Sequence, residues 1–163
     1  MPLSILSHLL DSPDPVPEDE SEDDAANSDP PDRALNSVRG QAMRAMMAFI
    51  GWWIGAGRTE DDVPPQFLEL VTSGLDPSHE PSAAVRSVYG EHVPRLHAYL
   101  PRWTSEHLEA IFGPSATDQE VNPKGRPTEP LPPTPAEQLG QVAFDAYLLL
   151  SRPYGQLWEL LEV

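Results

Sequence analysis

The sequence predicts an all-α fold, a HEAT-like or irregular helical-repeat fragment with an acidic N-terminal segment and a proline-rich internal loop. Three observations predict it. Apolar residues recur at three- and four-residue steps through several segments, the period of one side of an α-helix. Proline and glycine stand at the edges of those segments, where they start and stop helices. Ser37-Val38-Arg39-Gly40 is echoed fifty residues later by Ser87-Val88-Tyr89-Gly90, each early in a long segment. A long helix, a connector and a short helix, then the same again, is how helical-repeat arrays are built.

The first elements lie before residue 33. Leu3, Ile5, Leu6, Leu9 and Leu10 suit a short amphipathic helix of a turn or two. Asp11–Asp32 is rich in acids and carries Pro13, Pro15, Pro17, Pro30 and Pro31. It has almost no large apolar side chain with which to offset ordering entropy, so residues 1–32 are expected to end in a disordered linker. The domain proper is expected over residues 33–163.

Its organising stretch is Ala34–Gly57, with Asp32 as N-cap and Gly55 and Gly57 as terminators. Leu35, Val38, Ala42, Ala45, Phe49 and Trp53 share one side, and Met43, Met46, Met47, Ile50 and Ile54 cover much of the rest. A helix apolar nearly all round is buried on more than one side or lies in a membrane. The uninterrupted apolar run Ala45–Ala56 is too short to span a bilayer, which takes roughly 20 residues. Gly40 inside this stretch, and Gly90 in the next, suggest close approach of a neighbouring helix.

Arg58–Pro65 is a connector. Gln66–Ser73 is a short helix through Phe67, Leu70 and Val71, and Asp76-Pro77 reopens the chain as a turn. Pro81 begins a second long helix through Val85, Val88, Tyr89, His92, Val93, Leu96 and Leu100, which Pro94 should kink or interrupt. Pro101 begins a third, with Trp103, Leu108, Ile111 and Phe112 apolar, ended by Gly113-Pro114. Residues 115–135 form the proline-rich loop. Ala136–Ser151 is the last long helix, and after Arg152-Pro153 a short helix holds Leu157, Trp158, Leu160 and Leu161.

Charge excludes some functions. The formal net charge is −16, and residues 1–32 hold ten Asp or Glu with no Lys or Arg. Such a balance opposes binding to nucleic acid or to an anionic membrane. The chain has no cysteine, hence no disulfide framework and no thiolate metal site. An apolar start without a basic flank is not a secretory signal, so a cytoplasmic location is expected.

No motif for chemistry stands out, and neither an enzyme nor a cofactor or metal site is expected. No glycine-rich phosphate loop precedes a Lys-Ser/Thr pair, and the only lysine is Lys124. No Gly-x-Ser-x-Gly elbow occurs. His92 and His97 lack zinc-ligand spacing, so His92 reads as a packed core histidine. Glu106 and His107 fall on different faces of a helix. Trp52, Trp53, Tyr89, Trp103, Tyr154 and Trp158 are spaced like core. Arg39 and Arg86 lie inside buried-looking helices, where a charge is normally paired; salt bridges or carbonyl caps are the expectation, a binding site the alternative.

Three phrases carry a resemblance: Asn36-Ser37-Val38-Arg39-Gly40; Leu75-Asp76-Pro77 leading through Pro81-Ser82 to Val85-Arg86-Ser87-Val88-Tyr89-Gly90; and Arg152-Pro153-Tyr154 before Leu157-Trp158. Over about residues 33–161 the chain resembles the C-terminal helical region of very large bacterial proteins that look like STAND-type NTPases of antiphage defence. The resemblance implies a helical scaffold or sensor segment. It carries no ATPase activity over, because no nucleotide-binding motif is present. The expected function is therefore a non-catalytic protein-interaction or sensor module, binding a protein partner or itself. Trp158, Leu160 and Leu161 are its candidate contact residues. The alternative is an acidic adaptor or inhibitor that binds through residues 11–32.

Overall fold

Proline and small polar residues set the helix starts of this chain. A computed structural model describes residues 2–16, 29–113 and 132–151. Among them are seven α-helices and one 3-10 turn, and no strand. They are α1 (Pro2–Leu10), α2 (Pro30–Asn36), α3 (Val38–Gly55), α4 (Pro65–Ser73), α5 (Ala83–Tyr99), α6 (Pro101–Phe112) and α7 (Pro135–Leu150), with the 3-10 turn at Glu60–Asp62. The fold is all-α, as expected. Pro30, Pro65, Pro101 and Pro135 each open a helix, where a missing N–H costs nothing. Ser82 caps α5 by accepting from the Val85 N–H, and Thr134 and Glu137 form a reciprocal capping box on α7.

The stretch expected as one helix from Ala34 to Gly57 is two. Asn36 ends α2, and Ser37, extended at φ −114°, caps α3 by accepting from the Gly40 N–H at 3.3 Å. Ser37 is the N-cap, and Asp32 lies inside α2. The break lets α2 fold back on the first turn of α3. A Cβ at Gly40 would meet the Ala34 backbone closer than real Cβ atoms come, so this glycine marks a close approach. The break also turns the apolar faces. Met43, Met46, Met47 and Ile50 face the core, while Leu35, Val38 and Ala45 of the other set are exposed.

The central helix is α5, not α3. It packs on α2, α3, α6 and α7, and Arg86, Tyr89, Val85, Val88, Val93 and Leu96 are all buried. At Gly90 the Ala143 backbone of α7 occupies the space a Cβ would need. Pro94 does not interrupt α5, which runs through it to Tyr99. Near it, the Ser151 hydroxyl donates to the Glu91 carbonyl at 2.6 Å, tying the end of α7 to α5.

The fifty-residue echo does not mark equivalent positions. Ser37 is an N-cap, whereas Ser87 lies within α5 and donates to the Ala84 carbonyl at 2.7 Å. Most of the acidic segment and the proline-rich loop, residues 17–28 and 114–131, lies outside the described residues, as does the short helix expected after Arg152. The described ends of the acidic segment are placed: Asp14 and Pro15 sit on α3, and Pro30–Asp32 belong to α2.

Candidate functional site

Two places concentrate polar or exposed apolar groups in a way that calls for an account. The first is interior. Arg86 is 2% exposed, and its guanidinium donates to the Leu75 carbonyl at 2.7 Å and to the Ala110 carbonyl. Those carbonyls lie just past the end of α4 and in the last turn of α6, at the negative poles of two helices. Tyr89, one turn on, donates to the Val71 carbonyl of α4 at 2.7 Å. Burial pulls the Arg86 pKa down, opposed by Tyr89 and Glu80; burial likewise pushes the Tyr89 phenol up, which keeps it a neutral donor. Arg39 donates to the Pro15 carbonyl at 2.6 Å and faces the Glu80 carboxylate at 3.6 Å, while Glu80 also accepts from the Ser82 N–H. Arg86 thus caps two carbonyls, and Arg39 caps one and pairs with Glu80. Arg86 joins the ends of α4 and α6.

Two carboxylates distant in sequence complete the helix starts. Asp14 accepts from the Val38 N–H at 2.7 Å, and its carbonyl accepts from the Arg39 N–H at 3.0 Å. Glu60 accepts from the Trp103 N–H at 2.9 Å at the start of α6. Negative charge at a helix N-terminus is stabilising.

The second place is a surface groove of about 540 Å³ where α1, α2 and α3 meet. Leu6 and Leu9 of α1, Leu35 of α2, and Val38, Ala42 and Ala45 of α3 line it. Leu35 and Val38 are 49% and 38% exposed. The groove continues along α3 as a strip of exposed residues, Val38, Gln41, Ala45, Ala48 and Trp52, at three- and four-residue steps. Trp52, expected in the core, is 62% exposed. Arg58 lies 3.8 Å over the Trp53 ring and 5.7 Å from Trp52, a cation–π cluster at the far end of α3. On its other flank the strip is bordered by Arg44, paired with Glu91 at 2.5 Å.

His92 is buried, with Nδ1 at 3.1 Å from the Val88 carbonyl, as a core histidine. His107 stacks on Trp103 at 4.5 Å. Among the described residues no group of three His, Asp or Glu could hold a metal ion, and no helix is long and apolar enough to cross a membrane. Trp158, Leu160 and Leu161 lie outside the described residues. Sequence reasoning missed the groove because it placed Leu35 and Val38 on the buried side; Ser37 with a Gly three residues on was the available signal for a break. No family model, curated protein or solved structure matches this chain.

Proposed function

We propose that this chain is a non-catalytic helical scaffold, a protein-interaction or sensor module whose contact face is the groove between α1, α2 and α3. The observation that carries this reading is the half-exposed apolar lining of Leu9, Leu35 and Val38 around a concave surface. Contiguous exposed apolar surface on a folded domain marks contact sites. The groove supplies apolar area and shape. The resemblance to the helical region of defence-type NTPases supports the same scaffold role.

The acidic-adaptor alternative is separated by deletion. Removing residues 11–32 whole would also remove Asp14 and Pro15, which hold the start of α3 and Arg39. The test therefore deletes only residues 17–28 and compares the result with Val38→Glu, an exposed change in the groove. Self-association and partner capture should survive the deletion and fall at least tenfold in Val38→Glu, with helicity unchanged. The opposite pattern assigns binding to the acidic segment and overturns the groove.

A further inference from the structure

Helix α3 carries a projection and a recess on one exposed face. Trp52 is 62% exposed near the C-terminal end of the helix. The groove lies at the other end, lined by Leu9, Leu35, Val38 and Gln41 among others. Between them Ala45 and Ala48 are exposed and small, and Gly55, with open space about it, ends the row. Val38, Gln41, Ala45, Ala48, Trp52 and Gly55 follow one another at alternating steps of three and four residues, the seam of a helix that pairs with another helix. We propose that the partner is a second copy of this chain, with the two α3 helices antiparallel and Trp52 of each copy seated in the groove of the other. This rests on the groove being a contact face, and it names the partner.

Three observations carry it. The first is self-complementarity. A two-fold axis crossing α3 midway between Ala45 and Ala48 sets Ala45 against Ala48, Gln41 against Trp52 and Val38 against Gly55 of the other copy. Small residues meet at the centre, so the two helices can come close, and Trp52 meets the recess. Projection and recess lie on one face on either side of that axis, so one operation fills both recesses and the contact closes as a dimer. The second is charge. At a formal net charge of −16, copies repel one another, and contact between them needs a face without acids. The row on α3 carries no charged residue. Beside the projection Arg58 lies against Trp52 and Trp53, and beside the recess Asp14 accepts from the Val38 N–H and lines the groove. The axis brings Arg58 of one copy to the Asp14 end of the other, so the charges that border the row are opposite in sign. The third is size. α3 has 18 residues and rises roughly 27 Å. With its borders from α1 and α2, the face covers on the order of 500 Å² per copy. The pair buries about 1,000 Å², the low end of specific contacts, which places association at micromolar concentrations and above.

Sedimentation equilibrium of the full chain should show monomer and dimer exchanging at micromolar concentrations. Trp52→Glu, an exposed change outside the groove, should weaken the dimer at least tenfold with helicity unchanged. A parent that is monomeric at every concentration, or a dimer that Trp52→Glu leaves intact, overturns the proposal. Orientation has its own readout, because the chain contains no cysteine and introduced ones report without background. Copies carrying Val38→Cys are mixed with copies carrying Gly55→Cys and oxidised mildly. Disulfides between unlike copies should form at least tenfold faster than those between like copies. Parallel helices join Val38→Cys copies to one another; that result, or no disulfide at all, overturns the pairing. A monomeric parent whose capture of another protein is lost in Val38→Glu keeps the proposed function and removes only the second copy. A dimer indifferent to both Val38→Glu and Trp52→Glu removes both.

Discussion

Helices α3 and α5 are nearly equal in length, 18 and 17 residues, and reverse the usual relation between composition and burial. α3 is the more apolar, yet six of its residues are buried and a continuous strip is exposed. α5 contains Arg86, Ser87, Glu91, His92 and Arg95, yet ten of its residues are buried. The difference lies in partners. Each buried polar side chain of α5 meets a backbone carbonyl: Arg86 at Leu75 and Ala110, Tyr89 at Val71, Ser87 at Ala84, His92 at Val88. A polar group with a partner can be buried at modest cost, whereas one without is expensive. A central helix needs neighbours on all sides, and those neighbours present the ends of other helices, whose free carbonyls are what arginine and tyrosine satisfy.

This contrast can be broken most sharply at Arg86. Arg86→Met keeps much of the volume and leaves two carbonyls without their donor, so unfolding free energy should fall by about 3 kcal/mol. Arg44→Met on α3, at a partly buried pair with a single partner, should cost less, about 1.5 kcal/mol. Urea denaturation measures both, and equal losses would show that partners do not distinguish the two helices. A second large effect belongs to the crossing of α5 and α7. Gly90→Leu has no room beside Ala143 and should destabilise by roughly 2–3 kcal/mol, because backbone must move. A parent-like midpoint would mean that the two helices separate cheaply.

The pH dependence sharpens the comparison further. Burial lowers the His92 pKa, with Glu91 and the Val88 carbonyl opposing and Arg95 and Arg44 assisting. Its folded value thus lies below the unfolded value of about 6.5. The unfolded chain binds the proton more readily, so this stabilisation is present above that value and is lost as pH falls towards the folded value. His92→Gln should therefore flatten the decline in denaturation midpoint on the acid side of pH 6.5. An unchanged slope would remove His92 as its source. The smallest effect is on α3. Gly51 sits mid-helix with only the Tyr99 ring near, a Cβ there making ordinary contact at 3.5 Å. Gly51→Ala should stabilise by about 0.5–1 kcal/mol through helix propensity, read as a higher melting temperature. Destabilisation would mean that this side of α3 is packed as tightly as α5.

Much of the element order was legible because it rests on local rules. Pro101 opens a helix, Gly113 at φ +81° ends one, and Asp76 makes its turn by accepting from the Ser78 N–H at 2.8 Å, whereas Pro135, read as the end of the loop, opens α7. Arg39 and Arg86 were legible as paired charges, though not their partners. The groove was not legible. It depends on the break at Ser37, which changes the angular register of Leu35 relative to every residue after Val38. A continuous periodic pattern does not reveal that rotation.

By itself the sequence determined that this chain is helical, where most helices begin and end, and that its acidity is concentrated near the N-terminus. These follow from properties that act over one or two turns: period, propensity and capping. Only the tertiary structure decided which helix is central, which face of α3 meets the core, and which carboxylates cap α3 and α6. Asp14 reaches Val38, and Glu60 reaches Trp103, across 24 and 43 positions of chain. No local period encodes such pairs. They are chosen by the packing of whole helices, where the cost of leaving a buried donor or acceptor unpaired outweighs the small differences in apolarity between one helix face and another.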